Sequence, residues 1–502
     1  MYKSLDIEIH QNNKLYHYFR DMCIKSKNLY NVGNFYIRNT MTALSKEPTA
    51  RNDNEKEVLS IIMKNLKEFN STRMKSIEKE LFKILVTEKD ESKRKEAINK
   101  KKEEFKKYYR QENMPTKEKW FLDYNLLEGI LKFSHNKDYE ALPAQVNQAV
   151  LKLLIQNWKS FFKAKKDYSN NPSKYLGKPK LPGYKDNMMI TTFTNINCKF
   201  QEENNNYYLR FPKTKDKLLV TKEIVDKGKF MQVVVKPFYG VFKVFLVFNT
   251  GTEELVVDKD PKRIFGIDLG INNFVAISNN IGTTPIVVKG KFIKSYNQYF
   301  NKRKAKLISI LDKNDQERDT KQLNNLSRYR FNFFHDVFYK IAHYIIREAK
   351  TNNIDTIIIG HNNLWKNKSP MKKKDNQNFV SIPFNNFINI LGWLCSINGI
   401  NYIIKEESYT SKASFIDKDF IPTYGKEKGV AYKFSGTRVK RGLYKTKEGI
   451  KFNADINGAS NIIKKAINSA FDEINDFSYI VNTIKVLNYK DFYKISIPRK
   501  RG

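Results

Sequence analysis

Apolar positions recur every three to four residues over 14–45, with Leu15, Tyr18, Phe19, Met22 and Cys23 on one stripe, and this spacing predicts a long helix. The same spacing continues through Val58, Leu59, Ile61, Ile62 and Met63. Ahead of it, residues 1–12 alternate as a strand does. Residues 87–108 are almost wholly charged with mixed signs, which predicts a solvated helix or a projecting insertion. Helical spacing returns after Leu142-Pro143. One face should carry Val150, Leu153, Leu154, Trp158, Phe161 and Phe162, and the other Gln145, Gln148, Lys152, Gln156 and Lys159. The period then shortens to two. Runs at 189–193, 207–211, 231–235 and 241–248 read as strands, the last alternating cleanly. We expect a small β-barrel here, joined by the strand at 3–9, with the helices of 14–166 inserted as a lobe.

The second half has a different rhythm. Residues 264–269 and 271–277 are two short apolar strands around a tight turn, and 285–288 makes a third. A basic helical stretch follows from 292 to about 325. A helix over 331–350 carries Phe334, Val337, Phe338, Ile341, Ile345 and Ala349 on its apolar face and leads into a buried strand at 356–360. A further strand at 400–404 and a helix at 458–475 complete the pattern, so the fold class is multidomain α+β.

Length and charge narrow the partners. The 502 residues suffice for about three domains of roughly 150 residues each. Lys and Arg number 91 against 53 Asp and Glu, a net charge of +38 spread along the whole chain, which points to an extended polyanion. The 28 Tyr and 35 Phe can add stacking surfaces for bases, although most should be core. Cys23, Cys198 and Cys395 are far apart, so neither a disulfide framework nor a Cys-x-x-Cys metal knuckle can be written. With no long apolar run and no signal-like N-terminus, we expect a soluble cytoplasmic protein in a reducing compartment, without membrane contact.

Candidate chemistry begins at Asp268, within Ile264-Phe265-Gly266-Ile267-Asp268-Leu269-Gly270. A carboxylate in an apolar strand is costly to bury unless a cation neutralises it, and Asp oxygens suit Mg²⁺. A second acid, Asp455, lies in Phe452-Asn453-Ala454-Asp455-Ile456-Asn457-Gly458-Ala459, where a helix begins and small residues permit close packing. Either aspartate alone could be a turn or helix cap.

Together the two stretches resemble the first and third motifs of a RuvC nuclease domain, an RNase H-like fold. The surrounding chain resembles TnpB, the transposon-encoded RNA-guided nucleases, and their relatives the type V CRISPR effectors. The helix ending in Trp158, Phe161 and Phe162, followed by Gly177-Lys178-Pro179-Lys180-Leu181-Pro182-Gly183-Tyr184-Lys185, resembles the recognition region of TnpB sequences. The resemblance implies a β-barrel wedge domain at 1–12 and 187–258 and a helical recognition lobe at 13–186. It also implies a RuvC-like domain at 262–480 with a metal-free basic insertion at 413–453, and a basic tail at 481–502. It further implies a guide RNA, a double-stranded DNA target beside a short adjacent motif, and two Mg²⁺ ions held by carboxylates. A monomer is expected.

Two departures matter. Most members end the buried strand with a glutamate, whereas here Ile359-Gly360-His361-Asn362 has no acid. The strand at 400–404 ends in Lys405-Glu406-Glu407-Ser408-Tyr409-Thr410-Ser411, and strands about 4.8 Å apart bring such a glutamate within reach of the same metals. Some TnpB sequences show this exchange. Alternation sends Glu406 and Glu407 to opposite faces, so one can be the ligand. Glu407 adjoins the turn and is the expected one, with Glu406 left open. The metal set is therefore Asp268, Glu407 and Asp455. The second departure is the absence of Cys from 413–453, so no zinc is expected; Arg438, Lys440 and Arg441 become candidates for the scissile strand's phosphates. Gln145, Gln148, Lys178, Lys180, Lys185, Lys302 and Arg303 are further nucleic-acid candidates. A nuclease-dead DNA-binding repressor and a miniature type V CRISPR effector remain open alternatives.

Overall fold

The computed structural model describes residues 2–108, 111–251, 255, 260–362, 381–423, 432–440 and 442–494. Arg441 and the basic end at 498–502 lie outside the described residues. The chain divides into two compact units, Met1–Thr252 and Glu253–Gly502. No described helix is long and apolar enough to cross a membrane.

In the first unit the apolar stripe beginning at Leu15 becomes the Leu15–Leu44 helix, which packs against the Asp53–Thr87 and Ala144–Asn170 helices. Trp158 is fully buried and donates its indole N–H to Asn34 Oδ1 (3.0 Å), so its one polar group is satisfied inside the core. Leu153 departs from expectation: it is 39% exposed, and Leu151 and Ile155 take the inner positions. The basic loop is anchored by the first helix. Asn34 Nδ2 and Arg38 Nη2 donate to Pro182 O, and Asn31 pairs with the Lys185 backbone in both directions.

The strands of this unit do not close into the expected barrel. Strand β1 (Tyr2–Ile9) joins β2 (Thr191–Thr194), β6 (Lys229–Phe238) and β7 (Val241–Asn249) in a four-stranded sheet of order β1-β7-β6-β2. Strands β3 (Lys199–Glu203), β4 (Asn206–Arg210) and β5 (Lys217–Val220) form a separate meander. The meander uses its ladder hydrogen bonds internally. The two sheets meet instead through side chains, with Phe200 stacked on Phe248 at 6.2 Å.

The second unit is built on a six-stranded sheet. Its strands are β8 (Ile264–Leu269), β9 (Asn273–Asn279), β10 (Ile286–Lys289), β11 (Thr356–Gly360), β12 (Asn401–Lys405) and β16 (Lys485–Leu487), in the order β12-β11-β8-β9-β10-β16. Strands β8, β11 and β12 run parallel, so their C-terminal ends share one edge. Alternation sorts the two faces. Phe265, Ile267, Leu269, Ile357 and Ile359 face the Lys321–Thr351 and Phe384–Ile397 helices. Ile264, Ile358 and Ile403 face the Ala454–Ala466 helix, and Asp268 and Gly360 share their parity.

Two boundaries differ from expectation. Residues 485–487 are not tail: they add β16, a parallel edge strand beside β10. Three residues among lysines and asparagines carry too little pattern to announce a strand whose partner lies about 200 positions earlier. The helix after Asp455 also ends early, at Ala466, where Ile467 is extended.

Phe274 is fully buried, lying parallel to Phe338 at 5.2 Å and stacked on Phe384 at 5.8 Å. Replacing it with alanine should cost about 3–5 kcal/mol, read as a lower thermal midpoint. An unchanged midpoint would place Phe274 outside the core.

Candidate active site

Three segments converge at the shared edge of β8, β11 and β12. Asp268 comes from β8, opposite Ala276 of β9. Glu406 and Glu407 follow β12 directly. Asp455 sits in the first turn of the Ala454–Ala466 helix. Asp455 is not the cap: Asn453 takes that role, its Oδ1 accepting from the Asp455 and Ile456 backbone N–H groups at 2.9 and 3.2 Å. The Asp455 carboxylate is thereby free to point elsewhere.

The glycine ending β11 explains how an acid from β12 comes close to Asp268. Ile359 pairs with Ile267 and Gly360 with Lys405, so β11 lies between β8 and β12. A side chain from β12 must pass over β11 to cover roughly two strand spacings, about 9–10 Å. A Cβ at Gly360 would lie 2.5 Å from Glu407 Oε2 and 2.5 Å from Ile462 Cδ1. A larger residue there would require the Glu407 carboxylate and the Ile462 side chain to shift. Gly458 does the same for the helix: a Cβ there would lie 2.7 Å from Asp268 Oδ2.

The two glutamates have different surroundings. Glu406 is occupied on both oxygens: Oε1 accepts from the Ser408 backbone N–H (2.8 Å) and hydroxyl, and Oε2 accepts from Lys465 Nζ (2.6 Å). Lys465 also donates to the carbonyls of Ser408 and Pro422, which satisfies all three of its protons. Glu407 is different: its buried Oε2 has no hydrogen-bond partner among the described residues. Burial first, and then Glu406, push the Glu407 carboxyl up to about 8, against the opposing pull of Lys465. Asp268 is raised well above the usual carboxylate range by burial, then by Glu407 and Asp455, with Arg438 opposing. Such raised acids mark a site short of positive charge.

Asp455 is engaged on both oxygens. Asn273 Nδ2 donates to Oδ2 (2.6 Å) and Arg438 Nη2 to Oδ1 (3.2 Å), and Lys289 Nζ holds Asn273 through its Oδ1 (3.1 Å). Among the described residues no three His, Cys, Asp or Glu side chains are already gathered into a metal cage. Arg438, expected on a phosphate, thus spends its charge on Asp455. It lies on β13 (Thr437–Lys440), which with β14 (Leu443–Lys445) and β15 (Lys451–Asn453) forms a small sheet leading directly into the Asp455 helix.

Buried amides fasten the segment after Glu407 to that helix. Asn457 Nδ2 donates to Ala413 O, and its Oδ1 accepts from the Phe415 N–H; Asn461 Nδ2 donates to the Thr410 and Ala413 carbonyls. Sequence reasoning missed Asn273, Lys289, Asn457, Asn461 and Lys465. A signal was present for the asparagines, since amides within an apolar strand or helix face must find partners.

The other candidates lie apart. Gln145 and Gln148 are half-exposed on the Ala144–Asn170 helix, and Lys178, Lys180 and Lys185 are exposed on the anchored loop of the first unit. In the second unit, Lys302 and Arg303 are exposed on the Lys291–Lys313 helix and Lys440 on β13.

The raised Glu407 carboxyl makes metal-free stability pH-dependent. Between its ordinary value of 4.5 and about 8, the folded chain holds a proton that the unfolded chain has lost. Stability should therefore fall as pH rises through that window, by at most about 1.4 kcal/mol per pH unit for this proton. Denaturation in EDTA across the window should show a flatter slope for Glu407→Gln than for wild type. Equal slopes would contradict the environment described for Glu407.

Residues 249–366, which hold β8 to β11, match the family model OrfB_IS605, described as "Probable transposase". A curated relative, the TnpB-like protein ORF457 of Acidianus two-tailed virus, is 24% identical over 306 residues, covering 58% of this chain. The match spans 57% of that relative's length. Among solved structures, a Cas12f1-sgRNA-target DNA complex shares 13% identity at a TM-score of 0.28, covering 92% of this chain and 98% of its own. The mini-RNA-guided endonuclease CRISPR-Cas_phi3 shares 14% at a TM-score of 0.30, covering 54% and 57%. By sequence, the chain resembles the TnpB family.

Proposed function

We propose that this chain is an RNA-guided DNA endonuclease of the TnpB type, with an RNase H-like catalytic unit and a guide RNA and double-stranded DNA as partners. The observation that carries the reading is the pairing of Gly360 with Glu407. The acid missing from β11 is matched by an acid that enters from β12 through the space a glycine leaves. The net charge of +38 and the exposed basic side chains on both units favour a polyanionic partner.

The residues present fit Mg²⁺. Two raised acidic groups, one with an unpartnered buried oxygen, suit a hard cation, and Asp455 supplies further oxygens once Arg438 turns away. Asp268, Glu407 and Asp455 would hold the metal, and Glu406 acts as the brace that Lys465 fixes. A Mg²⁺ ion held by these residues would supply Lewis-acid chemistry for phosphodiester hydrolysis. The chain itself contributes orientation. Asn273 and Lys289 aim Asp455, the Asn457–Asn461 amides hold the Glu407 turn, and Arg438 is placed to pass its charge from Asp455 to a phosphate.

Plasmid cleavage by protein purified with its own RNA tests the proposal. Asp268→Ala, Asp455→Ala and Glu407→Gln should each lower Mg²⁺-dependent cutting by two orders of magnitude or more, about 3 kcal/mol or more of barrier, while guided DNA binding persists. Wild type that binds its target without ever cutting it would favour the repressor reading.

A swap tests the geometry. Gly360→Glu alone should remove cutting, because the new side chain collides with Glu407. Gly360→Glu combined with Glu407→Gly should restore part of it by returning the acid to β11. Activity in the single variant and none in the double would refute the relocated carboxylate.

A further inference from the structure

A concavity lies beside Lys465. Its volume is about 490 Å³, within the usual range of small-ligand sites. The end of β12, the segment 418–423 and the end of the Ala454–Ala466 helix build its walls. Lys405, Lys418 and Lys464 supply positive charge there, and Phe420, Tyr432 and Asn468 add two aromatic rings and an amide.

The charges are unevenly committed. Lys465 is saturated by Glu406, Ser408 and Pro422, so it is part of the wall. Lys464 gives one hydrogen bond, to Asp419 O at 3.0 Å, and burial holds its ammonium below the usual lysine range. The Asp419 carboxylate accepts hydrogen bonds from Ser414 and Ser435, and its charge offsets only part of the burial at Lys464. Phe420 is 78% exposed, a high value for so large an apolar ring. The backbone sets it there: Lys418 adopts a left-handed φ of 56°, and the turn closes through Lys418 N–H to Phe415 O and Asp419 N–H to Ser414 O. Tyr432 packs edge-on to Tyr409 at 5.5 Å, and Tyr409 follows Glu407 by two residues.

An exposed ring beside three ammonium groups is unsuited to an apolar peptide, which would bury those charges unpaired. It suits a ligand with a flat aromatic face and an adjacent anion. We propose that this pocket binds one unstacked nucleotide of a single strand, its base on Phe420 and its phosphate among Lys405, Lys418 and Lys464. The inference rests on the nuclease reading for its role: Lys465, which lines the pocket, holds Glu406 beside Glu407, and the pocket would hold a strand's neighbouring nucleotide while the scissile phosphate lies at Asp268 and Glu407. Stacking on an aromatic face is tolerant of base identity, so little sequence preference is expected.

The test uses the full-length protein in EDTA with a short single-stranded oligonucleotide carrying one 5-iododeoxyuridine. Ultraviolet cross-linking followed by peptide mass spectrometry should place the adduct on Phe420 or Tyr432. Phe420→Ala should abolish that adduct and weaken binding about tenfold. Lys418→Ala, at an exposed position with no packing to lose, should reduce the salt dependence of affinity. Asp268→Ala should cross-link as wild type does, because the pocket does not use the carboxylates. Adducts confined to other segments, with unchanged affinity for Phe420→Ala, would overturn the pocket even if Mg²⁺-dependent cleavage is normal. A Phe420 adduct in a protein that never cuts DNA would uphold the pocket and remove the nuclease reading. Equal competition by free thymidine monophosphate would overturn the assignment to a strand.

Discussion

The space above Gly360 is the constraint on which the site depends. Three parallel strands end at one edge, and their middle member carries no side chain there. That single omission lets Glu407 cross from β12 toward Asp268 on β8. The cost is visible in the acids themselves. Burial raises both, and neighbouring carboxylates raise them further, so the charged form of each is disfavoured. A surface cluster of acids would show no such tension, because water would screen it.

The Ala454–Ala466 helix converts this edge into a site by approaching the sheet closely. Gly266 on β8 leaves no room for a Cβ, which would lie 2.5 Å from Ala459 O. Ser278 and Ser460 share a hydrogen bond of 2.6 Å in the same contact. The helix also carries Asn457 and Asn461, whose amides fix the turn that follows Glu407. One element therefore positions two of the three acids, directly for Asp455 and through buried amides for Glu407.

Much of this was legible in the sequence. A short apolar run bounded by glycine placed Asp268 on a strand, and Gly458 with Ala459 signalled close packing. The absence of an acid after Ile359 pointed to the Glu406–Glu407 pair. The sequence left Glu406 and Glu407 open; in the fold Lys465, 59 positions further on, engages Glu406. The barrel expectation failed for a related reason. Alternation reports which residues are strand, whereas closure depends on long-range pairing, and β3 to β5 pair only with one another. Short elements were the least legible: β16 has three residues, and the Ala466 end of the helix follows an apolar-rich run that could have continued. The anchored basic loop was recognisable from its Gly and Pro pattern, but its attachment to Asn31, Asn34 and Arg38 required the fold.

The central claim is that Glu407, and not Glu406, stands in for the acid missing from β11. Crystals soaked in Mn²⁺, with anomalous scattering used to locate the metal, address it most directly. The account predicts a peak bonded to Asp268 and Glu407 at ligand distances near 2 Å, typical of hard cations with oxygen donors, while Glu406 stays on Lys465. A peak coordinated by Glu406, or one at Asp268 with Glu407 turned away, would contradict it.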